Sequence, residues 1–264
     1  MKPGNEPPQP SRDNAGSVES EIRRFDGVLG KPEIDHIVRE EPLEIRVNSE
    51  AFATLMRTPG DDRDLALGFL YAEGVIDSRA DIGALSIHGK DALVGPENSP
   101  QAEPDDSLVN IADLLPADPN REIVIPSRQG PSMSSCGICG KRSISEALAL
   151  TPPTDSQTAS QPWLPPELIG ELPDRLKQRQ ELFIRTGALH AAGIFNQEGK
   201  LLFAREDIGR HNAVDKLVGA ALMEELLPLR KCILQVSGRI SFEIVQKAYR
   251  AGIPALSAVS GASS

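Results

Sequence analysis

Alternating apolar and polar residues mark a pair of strands in the N-terminal part of the chain. Residues 43–47 alternate apolar and charged side chains, which is the pattern of a strand with one buried face. Residues 48–50 read as a turn, and residues 51–56 return as a second strand. The pattern therefore predicts a β-hairpin, and a weaker apolar run predicts another strand at residues 85–87.

Apolar residues at helical spacing follow in three places. Residues 65–70 predict a core-facing helix that ends near Gly74. A helical segment is expected over residues 172–183. Apolar side chains between residues 214 and 222 predict a further helix that begins near Asn212.

The C-terminal part of the chain alternates strand and helix patterns. Residues 193–195 and 201–204 predict a hairpin. Residues 232–236, 241–251 and 253–259 then predict a strand, a helix and a strand. A unit of this kind builds two parallel strands joined by a right-handed crossover.

Composition adds a division into four parts. Residues 1–20 are rich in Pro, Asn, Gly and Ser and have no apolar run, so we expect a disordered tail and no signal peptide. Residues 151–166 are rich in proline and polar residues, as linkers are. They predict a boundary between an N-terminal lobe, residues 21–150, and a C-terminal lobe, residues 167–264.

Charge and cysteine content narrow the function classes. The chain has 264 residues and a net charge of -10, which argues against a protein whose main task is binding nucleic acid. No apolar run approaches the roughly 18 residues that a membrane helix needs. Three cysteines argue against a secreted disulfide framework and favour a reducing compartment, so we expect a cytoplasmic protein.

Two of those cysteines lie together in residues 134–143, which follow a predicted short strand at residues 121–126. Cys136 and Cys139 are each followed by glycine, and two cations come directly after them. Residues 143–146 form a capping box that predicts a helix start. Cations and a helix N-terminus lower the pKa of a thiol, so this stretch is suited to a thiolate nucleophile.

The CxxC spacing alone leaves three functions open: a redox dithiol, half of a zinc site and a sulfur carrier. Zinc needs four ligands, and no two of His36, His88, His190 and His211 are spaced as a pair. Cys232 lies within an apolar strand pattern, which predicts a buried core residue. A thioredoxin-like pair would lie near the start of the chain. These observations disfavour zinc and weaken the redox interpretation.

Candidate anion sites lie in the C-terminal half. Residues 237–239 form a glycine loop after a predicted strand, where a phosphate can meet backbone N–H groups and an arginine. Gly209, Arg210 and His211 precede a predicted helix. The basic side chains of Arg210 and His211 and the small Gly209 favour anion binding there as well. For His190 a structural role and a ligand-facing role both stay open.

These motifs together resemble a known family. They are Thr58 to Asp62 with Leu65 to Gly74, Ser135 to Lys141, Thr186 and Gly187 with His190 and Ala191, Glu206 to Lys216, and Ser237 to Arg239 with Ser241 to Glu243. In combination they are similar to the formate dehydrogenase accessory sulfurtransferases, the FdhD family. The resemblance extends from about Glu41 to Ser260.

The resemblance implies an α/β fold with two lobes. The larger lobe resembles the cytidine-deaminase fold, a mixed sheet with flanking helices, and a smaller α/β lobe is N-terminal. The implied activity is that of a persulfide carrier. Sulfur passes from a cysteine desulfurase to a loop cysteine, then to the molybdenum of the bis-molybdopterin guanine dinucleotide cofactor before that cofactor enters formate dehydrogenase.

The resemblance also implies roles for individual residues. Cys136 carries the persulfide, and Cys139 is its partner or resolving thiol. The guanine nucleotide ends of the cofactor, which is a bound substrate, lie among Gly187, His190, Asp207, Arg210, His211, Asn212, Ser237, Gly238 and Arg239. No metal of its own, nucleic acid or membrane is expected, and the choice between monomer and homodimer stays open. The alternative function is a non-catalytic chaperone for the same cofactor.

Two departures from related patterns qualify these expectations. His190 is followed by two alanines and lacks the glutamate of an H-x-E signature, and no Pro-Cys-x-x-Cys follows. Zinc-dependent deamination is therefore not expected. Family members continue beyond the position of Ser264 through another helix and strand, so cofactor affinity and sheet stability are expected to depend on a segment that this sequence lacks.

Overall fold

The computed structural model describes residues 16–88, 110–121, 123 and 165–262. Ten strands and five α-helices lie within these ranges. The strands are β1 (Ser17–Ile22), β2 (Glu33–Val38), β3 (Glu41–Val47), β4 (Glu50–Arg57), β5 (Ile82–His88), β6 (Asn110–Pro116), β7 (His190–Asn196), β8 (Leu201–Asp207), β9 (Cys232–Val236) and β10 (Ala255–Ala258). The helices are α1 (Asp62–Ala72), α2 (Pro166–Lys177), α3 (Glu181–Thr186), α4 (Arg210–Met223) and α5 (Phe242–Arg250).

The N-terminal sheet has the strand order β4-β3-β6-β5. Strands β3 and β4 form the predicted antiparallel hairpin, closed by Asn48 and Ser49 at φ values of 53° and 65°. Positive φ at both turn residues matches the twist of the flanking strands. Strand β6 runs parallel to β3 and antiparallel to β5, so the sheet is mixed.

The C-terminal sheet has the strand order β10-β9-β7-β8 and is also mixed. The predicted hairpin of β7 and β8 is confirmed, and it extends to His190 and Asp207. Strands β9 and β10 are parallel, as predicted, with α5 between them in the chain. Strand β7 pairs with β9 in antiparallel orientation and joins the two parts of the sheet.

A separate two-stranded ribbon corrects the expected tail. Strand β1 pairs with β2 from Ser17 opposite Val38 to Ile22 opposite Glu33. A strand therefore begins at Ser17, inside the expected tail of residues 1–20, and the tail boundary at residue 20 was wrong. The acidic residues Glu19 and Glu21 leave β1 without a clear apolar pattern, and its partner strand begins only at residue 33. The sequence alone therefore did not indicate a strand here.

Other predictions fall largely outside the described residues. The cysteine stretch 134–143 and its capping box lie outside them, as does the linker up to residue 164. Of the strand expected at 121–126, only residues 121 and 123 are described, and neither lies in a strand. The division into lobes stays a prediction.

The two sheets share one buried core. Apolar side chains of β3, β6, β7 and β9 pack in a single cluster with those of α1, α4 and α5. Helices α1 and α4 meet closely where Gly68 faces the backbone of Asp215 and Gly219 faces that of Asp64. A second, smaller cluster lies between α2 and the strands β7 and β9. No helix in the described ranges is long and apolar enough to span a membrane.

Candidate functional site

The candidate site lies at one edge of the C-terminal sheet. Strands β8, β9 and β10 end there and β7 begins there, while helices α4 and α5 start from the same edge. The N-cap residues Gly209 and Ser241 make no side-chain capping hydrogen bond. The amides of a first helical turn carry partial positive charge, so this edge is suited to an anion.

His190, Arg210 and Gly238 converge at this edge. The imidazole Nδ1 of His190 lies 3.4 Å from the hydroxyl of Ser237, which follows β9. A Cβ atom on Gly238 would lie 3.4 Å from both Arg210 Cδ and His190 Nδ1. Gly238 is buried and lies against both side chains, so it packs the glycine loop against Arg210 and His190.

Ser237 joins the ends of β7 and β9. Its hydroxyl accepts a hydrogen bond from the N–H of Ala191 at 2.9 Å, and its own N–H donates to the Ala191 carbonyl at 2.9 Å. The hydroxyl thus has a protein donor and lies beside His190. Ser237 fixes the start of the glycine loop.

Two arginines supply positive charge and have no carboxylate partner among the residues that the structure describes. Within the described part of the chain, neither Arg210 nor Arg239 forms an ion pair, and the Nε of Arg210 is buried without a hydrogen-bond acceptor. Arg239 is exposed beside Gly238. An unpaired guanidinium beside uncapped helix starts is suited to a phosphate or carboxylate ligand.

The half-buried imidazole of His190 is poised as a neutral group. Burial lowers the pKa of His190, the nearby charge of Arg210 lowers it further, and Asp207 partly opposes both effects. A neutral imidazole can accept or donate a hydrogen bond at neutral pH.

Asp207 and Asn212 support the site from inside. Asp207 is fully buried at the end of β8. Its Oδ1 accepts hydrogen bonds from the Gly209 N–H at 2.8 Å and from the Asn212 amide at 2.9 Å. The Asn212 amide also donates to the carbonyl of Met56 at 2.8 Å. Both side chains thus hold the loop before α4, and their predicted contact with the cofactor stays a prediction.

His211 is buried and connects α4 to the start of α5. Its Nε2 lies 3.0 Å from the Ser241 hydroxyl, and its Nδ1 lies 3.1 Å from Oε2 of Glu243. Glu243 also pairs with Lys247 at 3.3 Å, and Lys247 pairs with Asp215 at 2.7 Å. Because the Ser241 hydroxyl lies against His211, it does not cap its own helix.

Gly187 lies at the outer margin of this edge. It ends α3 with a φ of 70° and is exposed, with open space around the position of a Cβ atom. The start of α3 is held by the carboxylate of Glu206, which accepts from the N–H groups of Leu182 at 3.0 Å and Phe183 at 2.8 Å. Burial raises the pKa of Glu206, against these two hydrogen bonds. Gly187 begins the short loop that joins α3 to His190 at the start of β7.

Several polar residues beneath the site belong to the motifs named in the sequence but were not predicted as site residues. Thr58, Lys216 and Glu243 contact Asp207 or His211 directly. One signal was available, since Asp215 and Lys216 interrupt an otherwise apolar helix face. Ionised side chains are rarely buried unless they are paired, so this interruption pointed to buried ion pairs.

The cysteines separate into two groups. Cys232 is buried in β9 with 8% of its surface exposed, as predicted, and burial raises the pKa of its thiol. Cys136 and Cys139 lie outside the described residues. No three His, Cys, Asp or Glu side chains of the described ranges are grouped as metal ligands would be.

Comparison with known proteins gives consistent matches. The model of the FdhD/NarQ family matches residues 38–264. A protein of Streptomyces avermitilis named "Sulfur carrier protein FdhD" is 46% identical over 248 residues, covering 92% of this chain and 82% of the relative. A protein of the same name from Corynebacterium efficiens is 43% identical over 235 residues, covering 87% and 80%.

A solved structure shares the fold. The crystal structure of a protein described as a formate dehydrogenase accessory protein from Desulfotalea psychrophila matches with a TM-score of 0.65 and 22% identity. The match covers 94% of this chain and 86% of the other. The mixed α/β architecture is therefore shared between the two proteins.

Proposed function

Because the chain belongs to the FdhD/NarQ family, we propose that it is a sulfur carrier that serves formate dehydrogenase. The name of the curated relatives and the description of the solved structure support this proposal. The finer steps are a persulfide on Cys136, taken from a cysteine desulfurase, and delivery of its sulfur to the bis-molybdopterin guanine dinucleotide cofactor.

One observation carries the cofactor half of the proposal. Within the described ranges, two helix starts without a side-chain cap and the guanidinium groups of Arg210 and Arg239, which form no ion pair, meet beside Gly238 at one sheet edge. The buried Nε of Arg210 has no acceptor within the described residues, and a phosphate oxygen would supply one. The phosphates of a guanine nucleotide end fit this set of donors.

Sulfur loading is a thiol exchange. The thiolate of Cys136 attacks the terminal sulfur of the persulfide on the desulfurase. A sulfur–sulfur bond forms on Cys136, the bond on the donor breaks, and the donor cysteine leaves as a thiolate. The step has no net oxidation, so it needs no further reactant.

Sulfur release uses Cys139 as the resolving thiol. Its thiolate attacks the Sγ of Cys136, a Cys136–Cys139 disulfide forms, and the terminal sulfur leaves as hydrosulfide with the bonding electron pair. The hydrosulfide is delivered to the molybdenum of the substrate. The two thiols supply the two electrons, and a cellular dithiol restores them.

Other parts of the proposal concern fold and location. We propose that the C-terminal sheet and its helices have the cytidine-deaminase-like topology that the resemblance implies, and that the protein works in a reducing cytoplasm. The lack of a glutamate after His190 is consistent with sulfur transfer on such a fold, because deamination needs that acid–base group.

Intact-mass spectrometry tests the persulfide. The protein is incubated with cysteine desulfurase and cysteine, and the wild type should gain one sulfur atom. Cys136→Ala should gain none, whereas Cys139→Ala should load sulfur but fail to release it. Sulfur on Cys136→Ala would contradict the role of Cys136. Normal formate dehydrogenase maturation with both variants would favour the cofactor chaperone.

Calorimetric titration with GDP tests the cofactor site. Arg239→Ala should weaken GDP binding by about tenfold, since a charge-assisted contact to phosphate is lost. Arg79→Ala is the matched control, because that arginine lies in the N-terminal half, has 52% side-chain exposure and pairs with Glu225 instead of lying at the candidate site. Equal affinity of the Arg239 variant and wild type would remove this arginine from the site.

A further inference from the structure

Thr58 lies in the N-terminal half but contacts the floor of the candidate site. It directly follows β4 and is fully buried. Its N–H donates to Oδ2 of Asp207 at 3.2 Å, and its hydroxyl accepts from the N–H of Ile208 at 3.1 Å. Its carbonyl accepts from Nζ of Lys216 at 3.0 Å. One residue thus uses every polar group it has to hold the segment around α4.

These contacts fix the loop that leads to Arg210. Asp207 is held by Thr58, and Asp207 in turn holds the N–H of Gly209 at 2.8 Å. Ile208 between them is bound by the Thr58 hydroxyl. Each of the three residues before Arg210 is therefore positioned by Thr58 directly or through one carboxylate.

The loop has little room to adopt another path. A Cβ atom on Gly209 would lie 2.8 Å from the amide nitrogen of Asn212. Lys216 completes the buried cluster around Asp207. Its Nζ pairs with Asp207 at 2.8 Å, and its side chain is almost completely buried. Protein interiors are tightly packed, so a small displacement within this buried, hydrogen-bonded cluster also shifts the loop that positions Arg210.

We propose that Thr58 is a positioning residue, through which the N-terminal sheet sets the direction of the Arg210 guanidinium at the anion site. The inference rests on the proposed function, in which Arg210 meets a phosphate of the guanine nucleotide end. Thr58 itself touches no ligand. Its hydroxyl fixes Ile208, and this places Arg210 beside Gly238 and His190.

A variant series on the full-length chain separates positioning from general stability. Thr58→Val removes the hydroxyl and keeps the shape, while Thr58→Ser keeps the hydroxyl. Tyr71→Phe is the matched control, since it removes a buried hydrogen bond of 2.8 Å to the Arg250 carbonyl at the far end of α5. Each variant is titrated with GDP by calorimetry, and its Tm is measured.

The expected pattern differs between the variants. Thr58→Val should lose about tenfold in GDP affinity, because displacing a group that orients charge is costly. Thr58→Ser should stay within about twofold of wild type, and Tyr71→Phe should lower the Tm without loss of affinity. Unchanged affinity in Thr58→Val, or an equal loss in Tyr71→Phe, would overturn the proposal. If Thr58→Val does not fold, Thr58→Ala replaces it with the same expectations.

A second readout distinguishes this inference from the proposed function. The Nε–H resonance of Arg210, assigned with Arg210→Lys, should shift in Thr58→Val and stay in place in Thr58→Ser and Tyr71→Phe. A wild type that binds no GDP would contradict the cofactor site, and the resonance would then decide the positioning role alone. No shift in Thr58→Val would overturn that role.

Discussion

At the scale of single residues, the protonation of His190 should depend on whether an anionic ligand is bound beside it. Its pKa is lowered by burial and by Arg210 from an ordinary value of 6.5, so an anion that neutralises Arg210 should raise it. Binding then takes up a proton in the window just below that ordinary value. GDP affinity of wild type relative to His190→Asn should therefore rise as the pH falls from about 7 to about 5.5.

Calorimetry measures this proton uptake. Titrations in buffers of different ionisation enthalpy report how many protons are bound together with GDP. The same titrations with His190→Asn measure the protons taken up by the phosphate itself, which are subtracted. Equal uptake in wild type and His190→Asn would show that His190 does not sense the ligand. The comparison requires only that both proteins bind GDP.

Residue roles were the hardest feature to predict. The run from Asp207 to Asn212 indicated an anion site, but it did not show which side chains face outward. Arg210 lies at the open edge, whereas Asp207 and Asn212 bond to Thr58 and Met56. Those partners are about 150 residues away in the chain, and no local pattern encodes such pairing.

At the scale of elements, the crossing of α1 and α4 depends on two glycines. A Cβ atom on Gly68 would lie 1.8 Å from the Asp215 carbonyl oxygen, and one on Gly219 would lie 1.9 Å from that of Asp64. Gly68→Ala should therefore force the helices apart and lower the free energy of unfolding by about 3 kcal/mol. Urea denaturation measures the change.

Gly170 provides the control for this prediction. It lies in α2 with open space where a Cβ atom would be, so Gly170→Ala should stabilise the protein by about 0.5 to 1 kcal/mol. Opposite signs for the two substitutions are expected. A neutral effect of Gly68→Ala would show that the helices can separate without cost.

Helices α4 and α5 are joined by a buried ion pair. Burial raises the pKa of Asp215 to about 7, against the attraction of Lys247. Lys247→Met leaves this carboxylate without its cation and should lower the free energy of unfolding by about 3 to 5 kcal/mol at high pH. Because the folded-state pKa is above the unfolded value, this loss grows as the pH rises through the folded pKa.

Denaturation at about pH 5.5 and about pH 8 checks the sign. The loss should be smaller at the lower pH, where the isolated carboxyl is protonated in the fold. Asp215→Asn combined with Lys247→Met should recover part of the stability at the higher pH, since the Asp215 charge is removed while Glu243 keeps its contact with His211. An equal loss at both pH values would contradict the argument.

Most elements that carry function could be predicted, and the reason is their periodicity. The hairpin of β3 and β4, helix α4 and the β9-α5-β10 unit each repeat apolar residues at the spacing of their own structure. Strand β6 and the ribbon of β1 and β2 were missed. Strands β1 and β2 each carry two acidic residues, and β6 does not alternate apolar and polar residues, so each becomes recognisable only beside its partner strand.

At the scale of the whole molecule, the shared core predicts one cooperative unfolding transition. Apolar side chains of both sheets form one cluster, and the Thr58 contacts and the α1–α4 crossing connect the halves further. Calorimetric and van't Hoff enthalpies of unfolding should therefore agree. Two resolved transitions in differential scanning calorimetry would show that the halves unfold separately.

The molecular architecture could be predicted only in part. Composition and periodicity indicated two α/β parts, and two mixed sheets are present. Their common core was not foreseen, because the close approach of α1 and α4 depends on glycines that look like ordinary helix residues in sequence. A site whose floor comes from one half and whose rim comes from the other follows from that approach.

The burial of Cys232 has a consequence for which cysteines can carry sulfur. Burial inside β9 raises the pKa of the Cys232 thiol, which lowers its thiolate fraction and shields it from a donor protein, so under the proposed function it is a poor sulfur acceptor. If the proposed function holds, sulfur gained by the native chain should therefore be found on Cys136 and Cys139 and not on Cys232. The burial of Cys232 would then limit how many sulfur atoms one chain can carry.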